Sequence, residues 1–154
     1  MTGRVTVILA ALLLSACAGA QATRTSANTA IIDASAAPAC GTMGAARVAA
    51  RSAAVETIRA GYERYIITGG SSQNNVRTAV IGMQANTFGR ISGNTYSGTT
   101  TYTPQTVTYG SHDRMLTVIM FNKGDPGYEQ ALDAKQTLGP DWSDLVKSGI
   151  RSCL

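Results

Sequence analysis

Residues 115–121 read Met-Leu-Thr-Val-Ile-Met-Phe, the most apolar run of the chain outside its first 16 residues. The run is short for a helix, rich in β-branched and bulky apolar side chains, and followed at once by the turn cluster NKGDPG at 122–127. Those features predict a central β-strand, covered on at least one face. A central strand needs neighbours, and three stretches offer them. Residues 64–68 (RYIIT) are apolar, β-branched and bounded by Gly69-Gly70. Residues 75–83 (NVRTAVIGM) place Val76, Thr78 and Val80 on one side, and with SSQN as the turn these two segments should form an antiparallel hairpin. Residues 28–34 (NTAIIDA) carry Ile31 and Ile32 and make a further strand.

Helices fill the intervals. Residues 43–62 are rich in Ala and Arg, both good helix formers, and Gly61 stands where a C-terminal cap belongs. Val48, Val55, Ile58 and Tyr62 fall near one face, while Arg47, Arg51 and Arg59 lie largely off it, as on a solvated face. Asp125-Pro126 reads as an N-cap with proline at the first helical position, opening a helix over 128–138 with Leu132 and Leu138 inward. Gly139-Pro140 breaks it, Asp141 caps again, and Trp142, Leu145 and Val146 mark a last short helix to Ser148. The fold class that follows is α+β, ordered β-α-β-β-β-α-α. A small, largely antiparallel sheet should carry its helices on one face.

Residues 86–111 stand apart in composition. Eighteen of these 26 are Thr, Ser, Gly or Tyr, and the only bulky aliphatic or Phe side chains are Phe88, Ile91 and Val107. Thr-Tyr alternation suggests extended chain, and Ser92-Gly93-Asn94 offers a tight turn. The stretch reads as a hairpin arm or long loop between the last two strands, with too little apolar content to belong to the core. Tyr96, Tyr102 and Tyr109 are its candidate contacts for a protein or glycan partner, since tyrosine joins an apolar ring to a polar tip.

The beginning of the chain carries an address. Arg4 is the only charge before Arg24, and residues 5–14 (VTVILAALLL) form an apolar segment too short to cross a bilayer, which needs about 20 such residues. Leu14-Ser15-Ala16-Cys17 then resembles a bacterial lipobox. The resemblance implies cleavage after Ala16 and diacylglyceryl modification of the Cys17 thiol, with membrane lipid as its partner. Ala18 follows the cysteine where an aspartate would signal inner-membrane retention in enterobacteria, so the implied place is the outer membrane, facing the periplasm. Residues 1–16 are then a signal peptide, 17–28 the lipidated cysteine and a small, polar tether, and 29–154 a single domain. As a flexible coil of about 11 residues the tether would reach roughly 18 Å.

Once Cys17 is consumed by lipid, Cys40 and Cys153 remain, and an oxidising envelope favours their pairing with each other. Without residues 1–16 the charge falls from +4 to +3, too mild to argue for nucleic acid. No metal or cofactor constellation is present. The single histidine, His112, sits beside Asp113 in what reads as a surface loop, and neighbouring residues point apart rather than forming a triad. An envelope hydrolase would need carboxylates such as Asp113, Asp125 and Asp141 to converge in a cleft. The favoured reading is non-enzymatic: a structural, assembly or sensing component.

Segments 56–67 (ETIRAGYERYII), 72–76 (SQNNV) and 116–142 (LTVIMFNKGDPGYEQALDAKQTLGPDW), with the terminal cysteine, resemble a family of small uncharacterised proteobacterial lipoproteins. The resemblance implies lipoprotein maturation and this order of elements. It carries no activity with it.

Overall fold

Alternation along the run at 115–121 decides how the sheet is built. The computed structural model describes residues 17–153. The elements are β1 (Ala18–Arg24), β2 (Thr29–Ala36), α1 (Gly41–Arg59), β3 (Arg64–Asn74), β4 (Arg77–Ser92), β5 (Thr95–Tyr109), β6 (His112–Phe121), β7 (Leu132–Asp133), α2 (Ala134–Leu138) and α3 (Trp142–Ser148). Five strands form an antiparallel sheet in the order β1-β2-β6-β3-β7, so the apolar run lies at its centre as predicted. Leu116, Val118 and Met120 point to one face and are buried, together with Ala30, Ile32 and Ala34 of β2. Burying Ile32, Leu116, Val118 and Met120 stabilises by about 1.5–3 kcal/mol each.

Helix α1 covers that face. Its buried stripe is small, with Gly44, Ala45, Val48, Ala49, Ala53 and Ala54, so the helix sits close to the strands. Gly61, at φ 84°, follows its last turn and donates to the Ile58 carbonyl, the capping geometry expected there. Tyr65 of β3 is the largest fully buried side chain, and its hydroxyl donates to the Ala50 carbonyl and reaches Thr137 Oγ1, each at 3.4 Å. One ring thereby joins β3, α1 and α2.

The Cys40–Cys153 disulfide is present, with the two Cα atoms 5.9 Å apart across 113 residues of sequence. Gly44 makes room for it. A Cβ there would lie 2.8 Å from the Cβ of Cys40 and 3.2 Å from that of Cys153. Arginines of α1 do more than face water: Arg47 donates to the Cys153 carbonyl at 3.3 Å, and Arg59 donates twice to the Val146 carbonyl, at 2.8 and 2.6 Å. Both tie the C-terminal segment to the helix.

The expected signal peptide at 1–16 lies outside the described residues. Several other expectations are corrected. The tether does not form: residues 18–24 pair with β2 over their whole length, because even an alanine-rich edge strand completes its backbone bonds on a neighbour. The hairpin of 64–68 with 75–83 is replaced by long-range pairing. GGSSQN continues β3 alongside β6, and Gly70 fits there because a Cβ would come within 3.0 Å of the Leu116 side chain. Residues 77–83 belong instead to the arm, which therefore lies between β3 and β6. The helix at 128–138 is split into a 3-10 turn (Tyr128–Gln130), β7 and α2, leaving Leu132 54% exposed while Leu138 is buried. Asp125 closes a turn by accepting from the Asn122 amide at 2.7 Å. Asp133 is the side chain that caps α2, accepting from the Gln136 amide at 2.8 Å. His112 opens β6 rather than sitting in a surface loop.

Candidate functional site

The part of the molecule with the most unpartnered chemistry is the arm. Strands β4 and β5 pair only with each other, through residues 77–92 and 95–109, around a turn at Gly93. At about 3.3 Å per residue the ribbon extends roughly 50 Å. Every residue of both strands is exposed except Ala79, which is half-buried. An isolated two-stranded ribbon is marginal in water, so the ends of this one matter.

Its root is built from the main sheet. β3 and β6 pair out to Asn74 and His112, the Asn75 amide donates to the Ser111 carbonyl at 2.9 Å, and the β4–β5 ladder begins at Arg77 and Tyr109. Gly110 has φ 103°, and a Cβ there would collide with the Asn75 carbonyl, so only glycine fits this corner. Asn75 donates to Asp113 Oδ2 at 2.6 Å. Hydrogen bonds from Ser35, then Ser111 and Asn75, hold the Asp113 carboxyl below the usual carboxylate range, against the cost of its partial desolvation.

The register sorts the arm's side chains. Tyr96 and Tyr102, separated by an even number of residues in an unbroken strand, share one face; Tyr109 lies on the other. All three are exposed, so the sequence-predicted contacts are accessible but do not form a single tyrosine surface. The face with Tyr96 and Tyr102 also carries Ile91, Met83 and Val80, each at least 60% exposed. Sequence reading missed this stripe because a one-residue bulge between Val80 and Gly82 shifts the parity of β4. Near the tip the Tyr96 ring lies over the cross-strand pair Gly89–Gly98, in the space their missing side chains leave. Elsewhere on this face hydroxyls meet across the strands, Thr87 with Thr100 at 2.8 Å and Thr78 with Thr108 at 3.4 Å.

Cys17 is exposed, its sulfur is free, and β1 begins at the next residue. Ala18, Ala36, His112 and Asn74 form one row across β1, β2, β6 and β3. Cys17 therefore stands at the edge of the sheet from which the arm leaves, about 14 Å from β3 by three interstrand spacings.

The three carboxylates named from the sequence, Asp113, Asp125 and Asp141, do not converge. Asp113 lines a broad depression of about 590 Å³ on the sheet face opposite α1, together with Asp33, Ser35 and Gln73. Asp125 lines a separate shallow depression with Tyr62 and Asn122. Asp141 stands at the start of α3. Among the described residues no three His, Cys, Asp or Glu side chains are placed to hold a metal ion, and no helix is long and apolar enough to cross a membrane. No protein-family model, curated protein or solved structure matches this chain.

Proposed function

We propose that this chain is a lipid-anchored protein of the bacterial envelope, held through an acylated Cys17 in the outer membrane facing the periplasm, that works by contact through its arm rather than by catalysis. The observation that carries this reading is a ribbon of roughly 50 Å whose Tyr, Ile, Met and Val side chains stay exposed to solvent. Exposed apolar surface on this scale marks an interaction site. Asp113, Asp125 and Asp141 stand in separate places, and the Asp113 carboxylate is engaged by Asn75 at the arm's root, which supports contact over catalysis.

Two variants test the reading in cells. Cys17→Ser should abolish membrane partitioning and leave the protein unprocessed or soluble; normal maturation and detergent-phase partitioning would overturn the address. Replacing residues 77–109 by a short Gly-Ser turn should leave the sheet folded, because loop closure depends weakly on length. The same deletion should remove the crosslinks formed in intact cells. A folded deletion protein that keeps every crosslink would overturn the arm as the contact surface.

A further inference from the structure

The arm's two faces differ in a way that a general contact surface does not require. On the face of Tyr96 and Tyr102, residues 78–91 and 96–108 contribute no charged and no amide side chain. Arg77, Gln84, Asn86, Arg90 and Gln105 all fall on the other. That division, charges and amides on one side and none on the other, with period two along β5 and along β4 beyond the bulge, is how transmembrane barrel strands divide lumen from lipid. Phe88 is the single large apolar side chain that crosses to the polar side between the bulge and the tip.

We propose that the arm is the membrane-crossing hairpin of a β-barrel closed by copies of this chain, its Tyr96–Tyr102 face against lipid hydrocarbon and its Arg90 face lining an aqueous lumen. This rests on the lipid-anchored reading above and names the arm's partner within it.

Three further observations agree. From Tyr96 to its even-numbered neighbour Thr106 is ten residues, about 33 Å of strand; tilted by about 40° this gives an apolar band of roughly 25 Å, the height such barrels present. The anchor fixes the direction: Cys17 stands at the edge where the arm emerges, and β1 starts without a spacer, so the root of the arm sits at the headgroups. Four of the five threonine hydroxyls on the lipid side, those of Thr78, Thr87, Thr100 and Thr108, are already paired across the strands, which lowers the cost of placing them in hydrocarbon.

The outer edges of β4 and β5 carry unpaired backbone groups that hydrocarbon cannot satisfy. Pairing β4 of one copy with β5 of the next removes both edges and closes a ring. With two strands from each chain, about four copies give the eight strands of the smallest such barrels. Arg77 and Arg90 from every copy make the lumen positive.

The test uses the full lipidated protein in vesicles of phosphatidylethanolamine and phosphatidylglycerol. With Cys17 acylated and Cys40 bonded to Cys153, an introduced cysteine is the one free thiol, and it carries an environment-sensitive fluorophore. Labels on Ala85→Cys and Tyr102→Cys should shift to the blue and be quenched by nitroxide lipids. Those on the neighbouring Asn86→Cys and Thr101→Cys should be quenched by aqueous iodide instead. In planar bilayers the protein should open stepwise anion-preferring conductances. Ala85→Arg should cut their incidence at least tenfold, Asn86→Arg should not, and Arg90→Gln should weaken the anion preference. Equal exposure to water at all four positions in vesicles would overturn the barrel. So would shielding of 85 and 102 that needs no lipid and follows protein concentration, which would make this face a contact between copies in solution. If insertion fails while arm-dependent crosslinks to an envelope protein persist, the barrel falls and the contact reading stands.

Discussion

Cys153→Ser should cost the domain about 5 kcal/mol. The bond joins residues 113 apart, and closing a loop of that length restricts the unfolded chain by this amount in the chain-entropy account. Cys40→Ser should cost about as much. The double variant should be no worse than either, because all three lose the same bond. Thermal unfolding reads the effect as a fall of roughly 15 °C for a domain of this size. The damage should be concentrated in the segment after α3. Arg47 holds the Cys153 carbonyl, and Arg151 accepts from the Ala18 amide at the start of β1, so release of the staple loosens both ends of the chain together. Losses under about 1 kcal/mol would show that the tail is held without the covalent link.

Tyr65→Ala should cost about 3–5 kcal/mol, the range for removing a large ring from a packed core. The ring is 1% exposed and spans β3, α1 and α2, so its loss leaves a cavity where three elements meet. Tyr65→Phe separates packing from the hydroxyl. At 3.4 Å the two contacts are long, so that variant should lose no more than about 1 kcal/mol. Burial also raises the phenol above its ordinary range. Ionisation is therefore favoured in the unfolded chain. The Tyr65 contribution is complete below the ordinary phenol value and declines as pH rises towards the elevated one. Denaturant midpoints across alkaline pH, compared between wild type and Tyr65→Phe, measure it.

What was legible in the sequence is what a local pattern can encode. The run at 115–121 announced a buried strand because its alternate residues, Leu116, Val118 and Met120, are all large and apolar. Gly61 and Gly149 marked helix ends because both take the left-handed backbone that glycine permits. The cysteine pairing followed from counting. Three features were illegible, each for a physical reason. β1 buries only small side chains at an edge, so Ala18 and Ala20 leave no hydrophobic signature. GGSSQN has the composition of a turn and becomes strand only because β6 supplies its hydrogen bonds from some forty residues away. The arm's apolar face was hidden because a bulge changes which residues of β4 align with Tyr96 and Tyr102. The arm itself was visible by composition, and its three tyrosines are exposed, though Tyr109 faces away from the other two.

The row that places Cys17 beside the root of the arm also sets how the domain takes mechanical force. β1 runs from Cys17 into the sheet, with seven successive residues paired to β2. A pull on Cys17 along the strand axis loads all of those rungs at once, in shear, because ladder hydrogen bonds lie perpendicular to the strands. A pull across the sheet would open them one at a time like a zipper. Tension from the membrane anchor proposed at Cys17 would act in the resistant direction, loading the shortest of the long strands where its geometry withstands being tugged.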